Sequence, residues 1–362
     1  GGKRDFYPMS TSDVSERYRR PTGAANLAEQ LAKKVIGQPA AMSGVVPYVQ
    51  MHQAGLAPEG RPVGVFLLLG PSGTGKTKTV EALAELLHGT EKHVLRIDCG
   101  EFQMEHEVAK LIGAPPGYLG HRETHPLLTQ QKLNSVTSDR SNLSLVLFDE
   151  IEKAAASLTR LLLGVLDKAS LRLGDNTNVS FDKSIIFLTS NLGARDMLKF
   201  LRPSFGFGSS SEPRTEEEVD AKLQAIGLSA VKKKFAPEFV NRLDSVITYR
   251  PLSERALDEI LSLQLTDLQR HIHRRLGARA FHLEVSKPAR QFLIDRGASE
   301  EFGARELKRT LYRKLFHPLA AMVADTSIPP QSRVRVEVSR DGKELKFRVR
   351  EPMLQVLLPT GT

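Results

Sequence analysis

The sequence predicts an α/β sandwich over residues 26–251, followed by a smaller helical unit over residues 252–351 that ends in a β-hairpin. Three observations lead there. Five short apolar runs recur: Val65–Leu69, Val94–Asp98, Leu145–Phe148, Ile185–Thr189 and Val246–Tyr249. Runs that are apolar on both faces read as strands of a parallel sheet covered on two sides, and the segments between them are long enough for crossover helices. A glycine-rich turn follows the first run. After Pro251 the composition shifts to helical stretches, chiefly Ala256–Arg275 and Arg305–Val323.

In chain order, residues 1–25 are expected to form a loose polar tail. From Asn26 to Gln53 the apolar spacing is helical, interrupted at Gly37-Gln38-Pro39. The segment Pro203–Glu218 is a loop by composition. Pro329-Pro330 opens two β-like runs, Val334–Val338 and Leu345–Val349, joined through the turn signal Asp341-Gly342. Residues 352–362 form a closing tail.

Of the 362 residues, 40% are apolar and 26% charged, an ordinary globular balance that needs no disulfide or metal staple. The single cysteine, Cys99, excludes an internal disulfide and reads as a small buried apolar residue. No apolar run reaches the length of a spanning helix, and the polar N-terminal stretch does not read as a secretory signal. A cytoplasmic location and no membrane partner are expected. The net charge is +9, and residues 252–351 hold 20 Lys/Arg against 14 Asp/Glu. So mild an excess reads first as solvated surface, with nucleic acid a minor alternative. His106, His121 and His125 show no zinc-ligand spacing.

The first strand ends in Gly70-Pro71-Ser72-Gly73-Thr74-Gly75-Lys76-Thr77, the pattern G-x-x-x-x-G-K-T, with a helical stretch Lys78–His88 behind it. Glycines let backbone N–H groups fold around phosphate oxygens, and the helix N-terminus adds positive potential. Lys76 can reach the β- and γ-phosphates of a nucleotide, and the Thr77 hydroxyl can ligate Mg²⁺. The third strand supplies the partner element, Leu145-Val146-Leu147-Phe148-Asp149-Glu150. Its carboxylates emerge at the C-terminal edge of the sheet, where open α/β sheets bind ligands. Asp149 would hold Mg²⁺ through water, and Glu150 would activate an attacking water. Asn191 closes the fourth strand and could orient that water.

These spaced motifs resemble the Clp-type AAA+ protein unfoldases, in particular the second ATPase module of ClpB-like disaggregases, from about Val35 to Arg350. The resemblance implies that Val35 and Ile36 contact adenine, that Gly70 to Lys78 cradle ATP or ADP, and that Asp149-Glu150 are the Walker B pair. It makes Asn191, in Thr189–Gly193, the first sensor. Arg242, within Phe235–Asp244, would be the arginine finger, and Arg305, in Gly303-Ala304-Arg305, the second sensor. Tyr118, within Ala114–Gly120, would grip polypeptide in a central pore. A finger acting on a neighbour implies a ring, a hexamer in this family, with unfolded or aggregated protein as substrate.

Some segments depart from the family pattern. His121–Pro126 replaces an acidic, glycine-containing stretch, and Gly164–Leu173 lacks the usual Asp-Gly-Arg turn, so the second pore loop near Gly174–Val179 is expected to differ in shape. No first ATPase module, middle domain or N-domain is recognisable before residue 26. With the unusual tail Asp5–Pro8, this favours a divergent single-ring form over a piece of a two-ring protein. Phe205-Gly206-Phe207, or Ile226-Gly227-Leu228, could serve as a peptidase-docking tripeptide, although the second reads as helix. Two alternatives accompany the threading motor: an ATP-gated scaffold acting on a partner, and an unfoldase partner of a peptidase or adaptor.

Overall fold

The computed structural model describes residues 24–113, 126–201, 215–299 and 303–350. Tyr118, the stretch 121–125 and Phe205-Gly206-Phe207 lie outside them.

Two helices, α1 (Ala24–Lys34) and α2 (Pro39–Gln53), precede strand β1 (Gly64–Leu69), and the phosphate-type turn leads into α3 (Lys76–His88). Then come β2 (Leu95–Asp98), β3 (Ser144–Asp149) and α4 (Ala156–Lys168). A small hairpin, β4 (Ser170–Arg172) with β5 (Asn178–Ser180), precedes β6 (Ser184–Ser190), α5 (Ala194–Leu201), α6 (Glu216–Lys234) and β7 (Ser245–Thr248). Five strands form one parallel sheet in the order β2-β3-β6-β1-β7. The five sequence runs are these five strands.

The alternation of side chains along each strand divides the core in two. Val65, Leu67 and Leu69 of β1 join Val146 and Phe148 of β3 on one face. Phe66 and Leu68 join Leu145 and Leu147 on the other, against α1, α2 and α3. Fully burying one such side chain contributes about 1.5–3 kcal/mol, so both faces of the central strands are strongly specified. The expectation of two-sided burial holds for β1, β3 and β6 but not for β2 and β7. These are edge strands, and on β2 Arg96 and Asp98 are exposed.

Helix α6 shows how local sequence sets an element. Thr215 and Glu218 form a reciprocal cap, three glutamates occupy the first turn and three lysines the last. That order complements the helix dipole, while Leu223, Gly227 and Val231 face the core at four-residue spacing. The tripeptide Ile226-Gly227-Leu228 therefore lies inside a helix, with its glycine buried. The pair β4–β5 turns through Leu173–Thr177, giving the region near Gly174–Val179 a hairpin shape.

The C-terminal unit contains α7 (Glu254–Leu276), β8 (His282–Val285), α8 (Lys287–Gly297), α9 (Ala304–Leu311), α10 (His317–Ala324), β9 (Arg333–Val338) and β10 (Leu345–Arg350). Its apolar cluster draws only on residues 252–349. Two features differ from the sequence expectation. The hairpin gains a third strand, because β8 pairs in parallel with β9. The helical stretch Arg305–Val323 contains a π-wound turn, Tyr312–Phe316. There the His317 N–H donates to Tyr312 O, and Pro318 follows with no N–H to offer Lys314.

Helices α8 and α9 meet where Gly297 lies against Leu307. A Cβ on Gly297 would stand 2.7 Å from Leu307 Cα, and backbone cannot yield as a side-chain tip can. Gly297→Ala is expected to lower the unfolding free energy by roughly 1–3 kcal/mol, despite its better helix propensity. Chemical denaturation reads this out, and an unchanged or raised midpoint would contradict it.

Candidate functional site

The predicted chemical residues converge at the C-terminal edge of the sheet. Gly75 caps α3 in the left-handed conformation, and Lys76 opens the helix. The Lys76 ammonium donates to Gly70 O at 2.7 Å, Pro71 O at 2.8 Å and Asn191 Oδ1 at 2.9 Å. An ammonium has three protons, and these three acceptors use all of them. Burial pulls the Lys76 pKa down from 10.5 to about 8, opposed by the charges of Glu152, Asp149 and Glu150 and reinforced by Arg305. Thr74 donates its hydroxyl to Pro71 O at 2.9 Å and stiffens the turn. Thr77 and Lys78 lie on the first turn of α3. The Lys78 ammonium points away to Glu91, 3.4 Å distant, so only its backbone can serve a phosphate there.

Asp149 ends β3, and Glu150 takes a left-handed conformation, φ 57°, that breaks the strand sharply. Asp149 Oδ2 accepts from Arg96 at 2.5 Å, while Oδ1 accepts from the Thr189 hydroxyl. The same hydroxyl accepts from the Glu150 N–H at 2.9 Å. Glu150 Oε2 meets the Lys153 ammonium at 2.5 Å, and Oε1 lies 3.4 Å from Asn191 Nδ2. The Asn191 amide thus spans Lys76 and Glu150, as a group that orients a water between phosphate and base would.

The C-terminal unit touches the same turn. Arg305 Nη1 donates to Ser72 Oγ at 2.9 Å, and the Ala304 N–H donates to Gly73 O at 3.1 Å. Gly303 must be glycine here: its φ is +50°, and a Cβ would lie 2.8 Å from Gly73 O. Between the two units is a cleft of about 430 Å³, walled by Thr74, Leu252, Leu257, Ile294, Asp295 and Gly303 among others. Its size and apolar walls suit a flat heterocycle, with the acidic Asp295 available to amino groups. Val35 and Ile36 are placed differently. Val35 is buried in the core and packs under Gly75, and Ile36 is half-buried beside it.

Arg242 does not join this cluster. Its Nε lies 3.0 Å from Asp167 Oδ1 in an ion pair without hydrogen-bond alignment, and Nη1 donates to Glu238 O at 3.4 Å. Cys99 is fully buried, as its sequence position suggested.

Sequence reasoning passed over several residues. Gln38 is buried and uses both amide protons, donating to Thr74 O at 3.0 Å and Arg250 O at 2.9 Å, while its oxygen accepts from Arg250 N at 3.0 Å. Thr79 accepts from the buried Tyr249 hydroxyl at 2.7 Å, tying α3 to the end of β7. Thr189 and Arg96 hold the acidic strand end, and Glu152 accepts from the Asn191 N–H. Only Glu152 left a readable trace, the second acid in Glu150-Ile151-Glu152.

Comparison with known proteins gives the family. Residues 61–246 match the AAA domain (Cdc48 subfamily), and residues 252–336 match the C-terminal, D2-small domain, of ClpB protein. The chain belongs to the AAA family and is built as a ClpB-like module. Chaperone protein ClpB of Staphylococcus epidermidis is 36% identical over 327 residues, covering 90% of this chain and 35% of that protein. ClpB of Meiothermus ruber is 39% identical over 297 residues, covering 82% and 32%. The ATP-dependent Clp protease ATP-binding subunit ClpC of Staphylococcus aureus is 33% identical over 335 residues, covering 92% and 39%. A closed-state cryo-EM reconstruction of Hsp104 with ATPγS and FITC casein has a TM-score of 0.73 at 26% identity, covering 94% of this chain and 53% of that one. The chain thus spans about a third of the curated relatives' length.

The depressed pKa of Lys76 has a measurable consequence. Between pH 8 and 10.5 the unfolded chain holds this proton more tightly than the folded one, so the contribution of Lys76 to stability rises with pH. Below about pH 8 both states are charged and the burial penalty is complete. The stability difference between the natural chain and Lys76→Met should climb by up to roughly 3 kcal/mol across that window. Denaturation at a series of pH values tests this, and a flat difference would contradict it.

Proposed function

We propose that this chain is the ATP-hydrolysing module of a ring-forming motor that unfolds or remodels protein. The observation that carries the reading is the single network joining Lys76, Asn191, Glu150 and Asp149 at the sheet edge, with Arg305 laid on the turn from the second unit. ATP would place its phosphates in the turn Gly70–Lys78 and its base in the cleft between the units. Lys76 exchanges its carbonyl partners for phosphate oxygens. Asn191 keeps its place between that lysine and Glu150. Glu150 takes up the proton of the attacking water once its Oε2 leaves Lys153.

Thr77 and Asp149 are hard oxygen donors and fit Mg²⁺. When bound, the ion would neutralise phosphate charge. Asp149 is held for that role by Arg96 and Thr189. The position of Arg242 supports action on a neighbouring subunit, because its partners Asp167 and Glu238 lie outside this phosphate site. An arginine acting in trans requires a neighbouring subunit, and a hexameric ring is the form proposed.

The Hsp104 reconstruction with casein supports polypeptide as the substrate class, and Tyr118 remains the proposed gripping residue. The ClpC relative, named as a protease subunit, makes a peptidase partner the second reading. Ile226-Gly227-Leu228 does not favour it, being locked in α6. No helix among the described residues is long and apolar enough to cross a membrane, and the buried thiol of Cys99 suits the proposed cytoplasmic setting.

Steady-state ATP hydrolysis, measured across protein concentration with and without an unstructured polypeptide, tests the reading. The rate per subunit is expected to rise with concentration and with polypeptide. Lys76→Ala should abolish turnover. Glu150→Gln should keep nucleotide binding and slow turnover by ~10²–10⁴. Arg242→Ala should slow it by ~10³–10⁵. Tyr118→Ala should spare hydrolysis and lose polypeptide processing. Turnover that survives Lys76→Ala would overturn the ATPase, and polypeptide processing that survives Tyr118→Ala would overturn the grip.

A further inference from the structure

Glu152 lies three residues beyond Asp149, in the short helical turn Ile151–Lys153. Its Oε1 accepts the backbone N–H of Asn191 at 3.0 Å. Its Oε2 is buried without a hydrogen-bond partner. Leaving a carboxylate oxygen buried and unpaired is unfavourable, and a neutral side chain would avoid the penalty. The carboxylate also faces Lys76 and exerts the strongest of the attractive charge effects on it.

The surroundings show what that acceptor does. The β3–β6 ladder ends at the pair Phe148–Leu188. Beyond it, side chains continue the attachment: Thr189 bridges Asp149 and Glu150, and Glu152 holds Asn191. Asn191 sits past the last residue of β6, where no ladder bond fixes its backbone. Yet its amide must keep one end on Lys76 and the other toward Glu150.

We propose that Glu152 is a positioning residue for ATP hydrolysis, pinning the Asn191 backbone so that the amide stays between Lys76 and the water-activating Glu150. The inference rests on the ATPase reading above. It assigns the third acid of Asp149-Glu150-Ile151-Glu152 a task separate from the other two: Asp149 faces the metal, Glu150 faces water, and Glu152 faces the backbone of the neighbouring strand.

Two conservative variants separate reach from charge. Glu152→Gln keeps the acceptor at the same length and removes the charge. Glu152→Asp keeps the charge and withdraws the acceptor by one methylene. Turnover and nucleotide affinity would be measured for the full chain, with thermal midpoints alongside. Glu152→Asp is expected to slow kcat on the order of 10²-fold with affinity for a fluorescent ATP analogue little changed, because a displacement of about 1 Å near the chemistry suffices for that. Glu152→Gln is expected to retain most of the turnover that Glu152→Asp loses. In an Asn191→Ala background, Glu152→Asp should add no further loss, since it acts through Asn191. Equal damage by both variants, or additive losses in the Asn191→Ala background, would overturn the assignment. So would full activity in Glu152→Asp. A natural chain without ATP turnover removes the ATPase reading and this inference with it, whereas turnover that Glu152→Asp leaves intact removes only the inference.

Discussion

The structure is organised around one buried cation. Lys76 is 8% exposed, and an ammonium taken that far from water must be surrounded by acceptors and negative charge. Its acceptors come from the turn after β1 and from the tip of β6. Its compensating charges come from the acids that follow β3. Three neighbouring strands must therefore end at one level, and the parallel register delivers this: Leu69 pairs with Ser190, and Phe148 with Leu188. The same arrangement readies the ammonium for a stronger anion. A phosphate arriving at the turn competes with carbonyl oxygens, which are weaker partners, and the burial that lowers the lysine pKa strengthens the attraction to the phosphate.

That anchor connects to the second unit through short polar links. Gln38 bonds to Thr74 in the turn and to Arg250 just before α7. Arg250 is in turn paired with Glu216 and Asp220 of α6. Arg305 and Ala304 reach the turn from α9. The turn is therefore tied by hydrogen bonds to both sides of the linker at residues 250–252. This is the geometry expected of a hinge whose angle follows the state of the phosphate site.

Much of this was legible in order along the chain. The central strands were readable because burial on both faces leaves uninterrupted apolar runs, and the phosphate turn because glycine and lysine are needed at fixed spacing. The roles proposed for Asp149, Glu150 and Asn191 rest on their position at strand ends. Other features left weaker traces. Strand β8 (His282–Val285) is short and half-buried, so its pattern resembles loop. Arg96 looks like a surface residue on an edge strand until β2 pairs with β3 and carries it to Asp149. Gln38 reads from sequence as part of the break at Gly37-Gln38-Pro39, yet its amide binds backbone on both sides. Nothing in the spacing of Gln38, Thr74 and Arg250 could reveal that.

By itself the sequence determined the class of fold, the phosphate turn and the identity of the acids, because each depends on local pattern: period, glycine placement, and polar residues after an apolar run. Tertiary structure alone decided which groups meet. Strand order put Asn191 beside Lys76, the register brought Glu152 to the Asn191 backbone, and the docking of the second unit set Arg305 on Ser72. These contacts join residues tens to hundreds of positions apart. Their geometry is set by the packing of two cores, which local pattern does not encode.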